Sequence, residues 1–112
     1  MVTSLTYAIK FVDDMEKAVR FHVDMLDLKL RFQSQEWSEF ETGPTTLALH
    51  IASVEHPAGT CQLGFGVADI ARFYSDAKNK GVQFTSPPTS LHGQRIAKLR
   101  DADGAECSVS GP

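Results

Sequence analysis

The chain has 112 residues, 42% of them apolar and 22% charged, with a formal net charge of -3 at pH 7. That length carries one domain with a real core, the composition argues against disorder, and the scattered charge leaves no basic footprint for nucleic acid. No window approaches the roughly 18 consecutive apolar residues of a membrane span, and the opening MVTSLTYAIK lacks the features of a secretion signal, so a cytoplasmic protein is expected. Cys61 and Cys107 form no CxxC pair and read as two reduced thiols.

Thr3 to Val12 alternates as a strand, with Leu5, Tyr7, Ile9 and Phe11 on one side. Asp13 is placed to stop it and to accept a hydrogen bond from a first-turn amide, with Glu16 three residues on at capping-box spacing. Both charges also suit the positive end of a helix. Along that helix Met15, Ala18, Val19, His22, Met25 and Leu26 form one apolar stripe, and His22 reads as a packed core histidine. The helix ends near Met25 to Leu28, where Asp27 has to supply the left-handed residue that Gly usually supplies. Three strands come next. Leu28 to Gln33 puts Leu28, Leu30 and Phe32 on one face, Glu36 to Glu41 puts Trp37 and Phe40 on opposite faces, and Thr45 to Ala52 sets Leu47, Leu49 and Ile51 against Thr46, Ala48 and His50. If the aliphatic side of that last strand meets the helix, the Thr46, Ala48 and His50 side is where a ligand can sit.

Ser53 to Thr60 reads as a surface link in which His56 is solvated. Gln62 to Val67 is the next strand, with Gly64 and Gly66 on the side of Gln62. Asp69 starts a second helix, Ile70, Phe73, Tyr74 and Ala77 are its buried side, and Gly81 ends it. Val82 to Thr85 is a short strand broken by Pro87-Pro88, and Ser86 to Gln94 is an irregular loop. Arg95 to Arg100 and Ala105 to Ser110 close the chain around the turn Asp101-Ala102-Asp103-Gly104. A shift of 55 residues superimposes the two halves, placing Val12 on Val67, Asp14 on Asp69 and Met15 on Ile70, so the domain is read as one structure made twice.

This order, with DDMEKAVRFHVDMLDLKL, GVADIARFYSDAKNKGVQF and DADG in sequence, resembles the vicinal oxygen chelate superfamily of glyoxalase I, bleomycin-resistance proteins and extradiol dioxygenases. His22, Asp27 and Ala102 depart from its usual Tyr, Gly and Pro. The resemblance implies an α+β fold of two tandem βαβββ modules whose mixed sheets curl around a cleft. Module one covers about 1–53, the link about 54–60 and module two about 61–112. Metal-dependent members take one ligand from the first and one from the last strand of each module, because an open divalent site needs three or four N or O donors. Those positions fall on Tyr7, Ala48, Gln62 and Ser108, of which only Gln62 is an accepted ligand type. A register shift of two brings in His50 or Glu106, leaving open a partial set of His50, Gln62 and Glu106.

The leading expectation is therefore a binding protein with no metal or other cofactor, holding an amphiphilic or aromatic small molecule. Its candidate ligand-binding residues are Tyr7, Trp37, His50, Gln62 and Ser108. Two enzymatic alternatives stay open: a metal-free acid-base pair of His50 with Glu106, and a metal-dependent lyase or isomerase of the glyoxalase I type. The resemblance also implies a homodimer, because members commonly complete or border the cleft with a second chain, and the exposed strand edges here have no obvious blocking residues beyond Lys29, Arg31 and Lys98.

Overall fold

A computed structural model describes residues 3–91 and 93–112. Met1, Val2 and His92 lie outside it, and with them the first two positions of the opening stretch and one position of the expected 86–94 loop. The elements are β1 (Thr3–Val12), α1 (Met15–Arg20), a π-helical turn (Phe21–Met25), β2 (Lys29–Gln33), β3 (Trp37–Glu41) and β4 (Thr46–Ile51), then β5 (Cys61–Val67), α2 (Ile70–Asn79), β6 (Phe84–Leu91), β7 (Gln94–Arg100) and β8 (Glu106–Gly111). They form two compact units, residues 7–61 and residues 1–6 with 62–112, so β1 contributes to both.

In the first unit the strand order is β2-β3-β4-β1, antiparallel except that β4 runs parallel to β1. The second unit repeats this with β5-β8-β7-β6, β8 lying parallel to β5. Within it, Thr6 of β1 donates its hydroxyl to the Gly64 carbonyl at 3.2 Å. A helix between the first two strands of each unit is what lets its first and last strands lie parallel. The sequence repeat is thus a repeat of pairing.

Each unit has its own core under its helix. Val12, Met15, Val19, Phe40 and Leu49 fill the first, and Val67, Ile70, Ala97 and Val109 the second. Phe40, Leu49 and Ile70 are without exposed surface, and burial of such a side chain contributes about 1.5–3 kcal/mol. Two glycines allow close approach in the second unit. A Cβ on Gly66 would stand 2.7 Å from the Thr6 methyl, and one on Gly111 would stand 2.4 Å from the Val67 carbonyl oxygen.

Both helices are capped by aspartate. Asp69 accepts from the Arg72 amide at 3.1 Å, as its place before Ile70 predicts. In the first half the cap is Asp14, accepting from the Lys17 amide at 3.1 Å, and not Asp13. Helix α1 starts at Met15, so Asp14, still extended at φ -126° and ψ 104°, holds the cap position. Asp27 has φ 57° and supplies the left-handed residue expected of it. His22 is buried, and its Nδ1 donates to the Ala18 carbonyl at 2.7 Å, as a core histidine does.

The expected apolar stripe does not run the length of the helix. After Arg20 the chain widens into the π-helical turn, and Met25 and Leu26 emerge at 74% and 50% exposure. A wider turn advances the side chains by less than 100° per residue, so a stripe drawn at 3.6 residues per turn loses phase there. The expected loop of 86–94 is also mostly strand. β6 passes through Pro87 and Pro88 because it is paired on one side only, with β7, and its register slips between Ser86 and Thr89 where the amides are missing. The Ser86 and Thr89 hydroxyls donate to the Pro87 carbonyl within that slip.

Candidate functional site

The first unit's sheet has one face under α1 and one face free of it. Registers fix which residues share the free face: Tyr7 lies beside Thr46, Ile9 beside Ala48 and Phe11 beside His50, while Trp37 pairs with His50 and Glu39 with Ala48. Period-two alternation then carries Leu47 and Leu49 toward the helix, as their aliphatic character requires. Three of the expected site residues meet here. The Tyr7 and Trp37 rings are 6.0 Å apart, and the Trp37 and His50 rings meet edge-on at 5.9 Å.

Strand β2 brings to this face residues that alternation assigns elsewhere. The β2–β3 register matches Leu30 to Phe40 but Phe32 to Glu39, so Arg31 is an extra residue, a β-bulge. One inserted residue inverts the facing of the rest of its strand, and Phe32 leaves the side of Leu30 for that of Glu39. Arg31 is turned to the same partner. Its Nη2 and Nε donate to Glu39 Oε1 at 2.9 and 3.3 Å, and Nη2 also donates to the Thr46 hydroxyl at 2.7 Å. The second Glu39 oxygen accepts the Trp37 indole N–H at 2.8 Å. One carboxylate therefore anchors both a guanidinium and the indole of the aromatic cluster.

These charges act on Tyr7. Burial first, and the Glu39 carboxylate second, raise its phenol above the ordinary 10.0, while the Arg31 guanidinium pulls the other way. His50 donates from Nδ1 to the Ile51 carbonyl at 2.8 Å. A carbonyl can only accept, so in the neutral ring Nε2 carries the lone pair. His56, expected in solvent, is half-buried and stacks on Phe11 with centroids 4.5 Å apart and planes 17° from parallel. Phe11 thus meets His50 at a tilt, with centroids 5.4 Å apart, and His56 on its ring face.

Gln62 and Ser108 belong to the second unit. Gln62 is buried on β5, and Ser108 is half-buried on β8, opposite Gly64 and Lys98. Glu106, on the same strand as Ser108, accepts the Thr85 hydroxyl at 2.8 Å. This unit also has an open cavity of about 720 Å³ lined by Phe65, Phe73, Leu99, Val109 and Cys107, the core side of its sheet. None of the five candidate ligand-binding residues, Tyr7, Trp37, His50, Gln62 and Ser108, lines it. Burial raises the Cys107 thiol, and Asp101 and Glu106 add to the effect, which makes it a poor nucleophile.

The family model described as Glyoxalase/Bleomycin resistance protein/Dioxygenase superfamily matches residues 4–109. The chain belongs to this superfamily. A relative, the uncharacterized protein YurT of Bacillus subtilis (strain 168), is 30% identical over 84% of this chain and 87% of its own length. Among solved structures, hypothetical protein BH1468 of Bacillus halodurans C-125 aligns with TM-score 0.79 at 21% identity, covering all of this chain (100%) and 96% of its own. A Streptomyces coelicolor methylmalonyl-CoA epimerase variant in complex with 2-nitronate-propionyl-CoA aligns with TM-score 0.78 at 18% identity, covering 99% and 95%. At those identities the likeness to the solved structures carries the α+β superfamily fold and no more.

The four ligand positions that the family resemblance implies hold a phenol (Tyr7), a methyl group (Ala48), an amide (Gln62) and a hydroxyl (Ser108). Neutral groups of this kind are weak partners for a hard divalent ion. Among the described residues no group of three or more His, Cys, Asp or Glu is placed to hold a metal. Of those four positions only Gln62 carries a side chain of an accepted ligand type.

Proposed function

We propose that this protein is a metal-free small-molecule-binding member of the superfamily, taking an aromatic or amphiphilic ligand on the helix-free face of the first unit. The observation that carries the reading is the Tyr7, Trp37 and His50 cluster, rings about 6 Å apart and ordered by hydrogen bonds at Trp37 and His50. Aromatic surface with a few fixed polar groups is the usual composition of a small-molecule site. The epimerase aligned above is described with a CoA thioester analogue, which supports this fold as a carrier of amphiphilic ligands. The protein would act as a homodimer in the cytoplasm, where free Cys61 and Cys107 suit a reducing compartment.

Trp37 is the single tryptophan and reports directly on the site. Titration with an aromatic small-molecule set is expected to shift Trp37 emission and raise the melting temperature, with every ligand recovered unchanged. Chelation is expected to leave binding as it was. A reaction that stops on chelation and returns with a divalent metal would reject the proposal in favour of the lyase or isomerase alternative.

A further inference from the structure

We infer that the helix-free face of the first unit contains a carboxylate-binding subsite, formed by Arg31, Thr46 and Tyr7 beside Trp37, so that the ligand is an organic acid with an aromatic or apolar body. The inference rests on the reading of that face as the ligand site and specifies its ligand class.

Donors outnumber acceptors on this face. Both oxygens of Glu39 are engaged, Oε1 by Arg31 and Oε2 by the Trp37 indole. Arg31 gives Nε and Nη2 to Glu39 and Thr46, leaving both Nη1 protons without a hydrogen bond among the described residues. Thr46, in accepting from Arg31, keeps its own hydroxyl proton to donate. Tyr7 is its neighbour in register across β1 and β4, and its phenol stays protonated at neutral pH. The face therefore offers four O–H and N–H protons, and Glu39, its carboxylate, is already shared.

That balance selects the ligand. A cation would compete with Arg31 for Glu39, and a dianion such as phosphate would bring a second negative charge next to Glu39. A single carboxylate matches a guanidinium nitrogen and two hydroxyls. The bonds to Glu39 and Thr46 also hold the guanidinium in place before binding, so less side-chain freedom is lost when the ligand arrives. The Trp37 ring, fixed by the same Glu39, lies where the apolar body of the acid would pack.

The test compares hydrocinnamate with hydrocinnamyl alcohol, which share a phenyl chain and differ in the acid group. Affinities are read from Trp37 emission and from melting temperature. The acid is expected to bind at least about tenfold tighter than the alcohol. Arg31→Gln is expected to weaken the acid at least about tenfold more than the alcohol, bringing the two affinities together. Thr46→Val leaves the Arg31–Glu39 pair in place and is expected to weaken the acid by about fivefold, the worth of one hydrogen bond, and the alcohol by less. Equal binding of the two probes by the unmodified protein, or equal losses for both in the variants, would overturn the subsite while leaving the binding function standing. If neither probe moves Trp37 emission or melting temperature up to millimolar concentration, the subsite and the binding function fall together.

Discussion

Glu39 is the residue through which fold and site are joined, and Glu39→Gln tests that joint with little change of shape. Three N–H donors converge on its two oxygens, from Trp37 at 2.8 Å and from Arg31 at 2.9 and 3.3 Å. A glutamine has one acceptor oxygen, so its amide N–H₂ must face either the indole or the guanidinium and set donor against donor. A lost charge-assisted hydrogen bond costs about 1.5–3 kcal/mol when it is sealed from water. Here the Glu39 and Arg31 side chains are 20% and 44% exposed, so water replaces part of the loss. The expected cost is about 1–2 kcal/mol, or a fall of about 5 °C in melting temperature. Urea unfolding followed by Trp37 emission measures it, and the native emission itself should shift as the indole loses its acceptor. In an Arg31→Met background the same change should cost less, with a coupling of about 1 kcal/mol. A cost below about 0.3 kcal/mol with unchanged emission would mean that the three bonds are incidental surface contacts and do not organise the aromatic cluster.

Two further outcomes are expected, one in the second unit and one at the site. Gly111→Ala puts a methyl against the Val67 carbonyl, which is backbone and cannot rotate aside, so a loss of about 3 kcal/mol is expected in thermal or urea unfolding, and a loss under about 1 kcal/mol would contradict the packing of β5 on β8. Because the folded phenol of Tyr7 titrates above its unfolded value, its contribution to stability is complete below about pH 10 and is lost as pH rises through the raised value. The difference in ultraviolet titration between the unmodified protein and Tyr7→Phe should place Tyr7 above an ordinary tyrosine, and a midpoint at or below 10.0 would remove burial and Glu39 as its controlling neighbours.

Much of this fold is legible in single residues because the forces that place them are local. Asp69 caps α2 and Gly81 lies just past its end at φ 93°, while Asp101 folds the DADG turn by accepting from the amides of Asp103 and Ala105. The repeat carries more than the local capping pattern does. Aligning Asp14 with Asp69 gives the correct cap, whereas the spacing from Asp13 to Glu16 does not. At the site, strand alternation is enough to bring Trp37 to His50, because those strands pair without interruption.

The failures share a cause, which is that one strand's facing depends on its partner. Nothing in KLRFQ says that Arg31 is extra, since the bulge exists only relative to β3, and so Arg31, Phe32 and Glu39 are absent from the expected site. The one available signal is chemical: Arg31 beside three apolar positions, with Glu39 on the strand paired with it. His56 escapes because a link residue gives no periodicity from which to infer that its ring meets Phe11.

The proline pair on β6 bears on how copies of this protein can associate. A foreign strand adds to a sheet by exchanging hydrogen bonds along an open border, and Pro87 and Pro88 have no amide to give, so whichever of the two faces outward leaves that border without a donor. The interruption guards the border against runaway fibre growth. It also means that two copies meeting through a continuous β-ladder would have to do so elsewhere on the molecule.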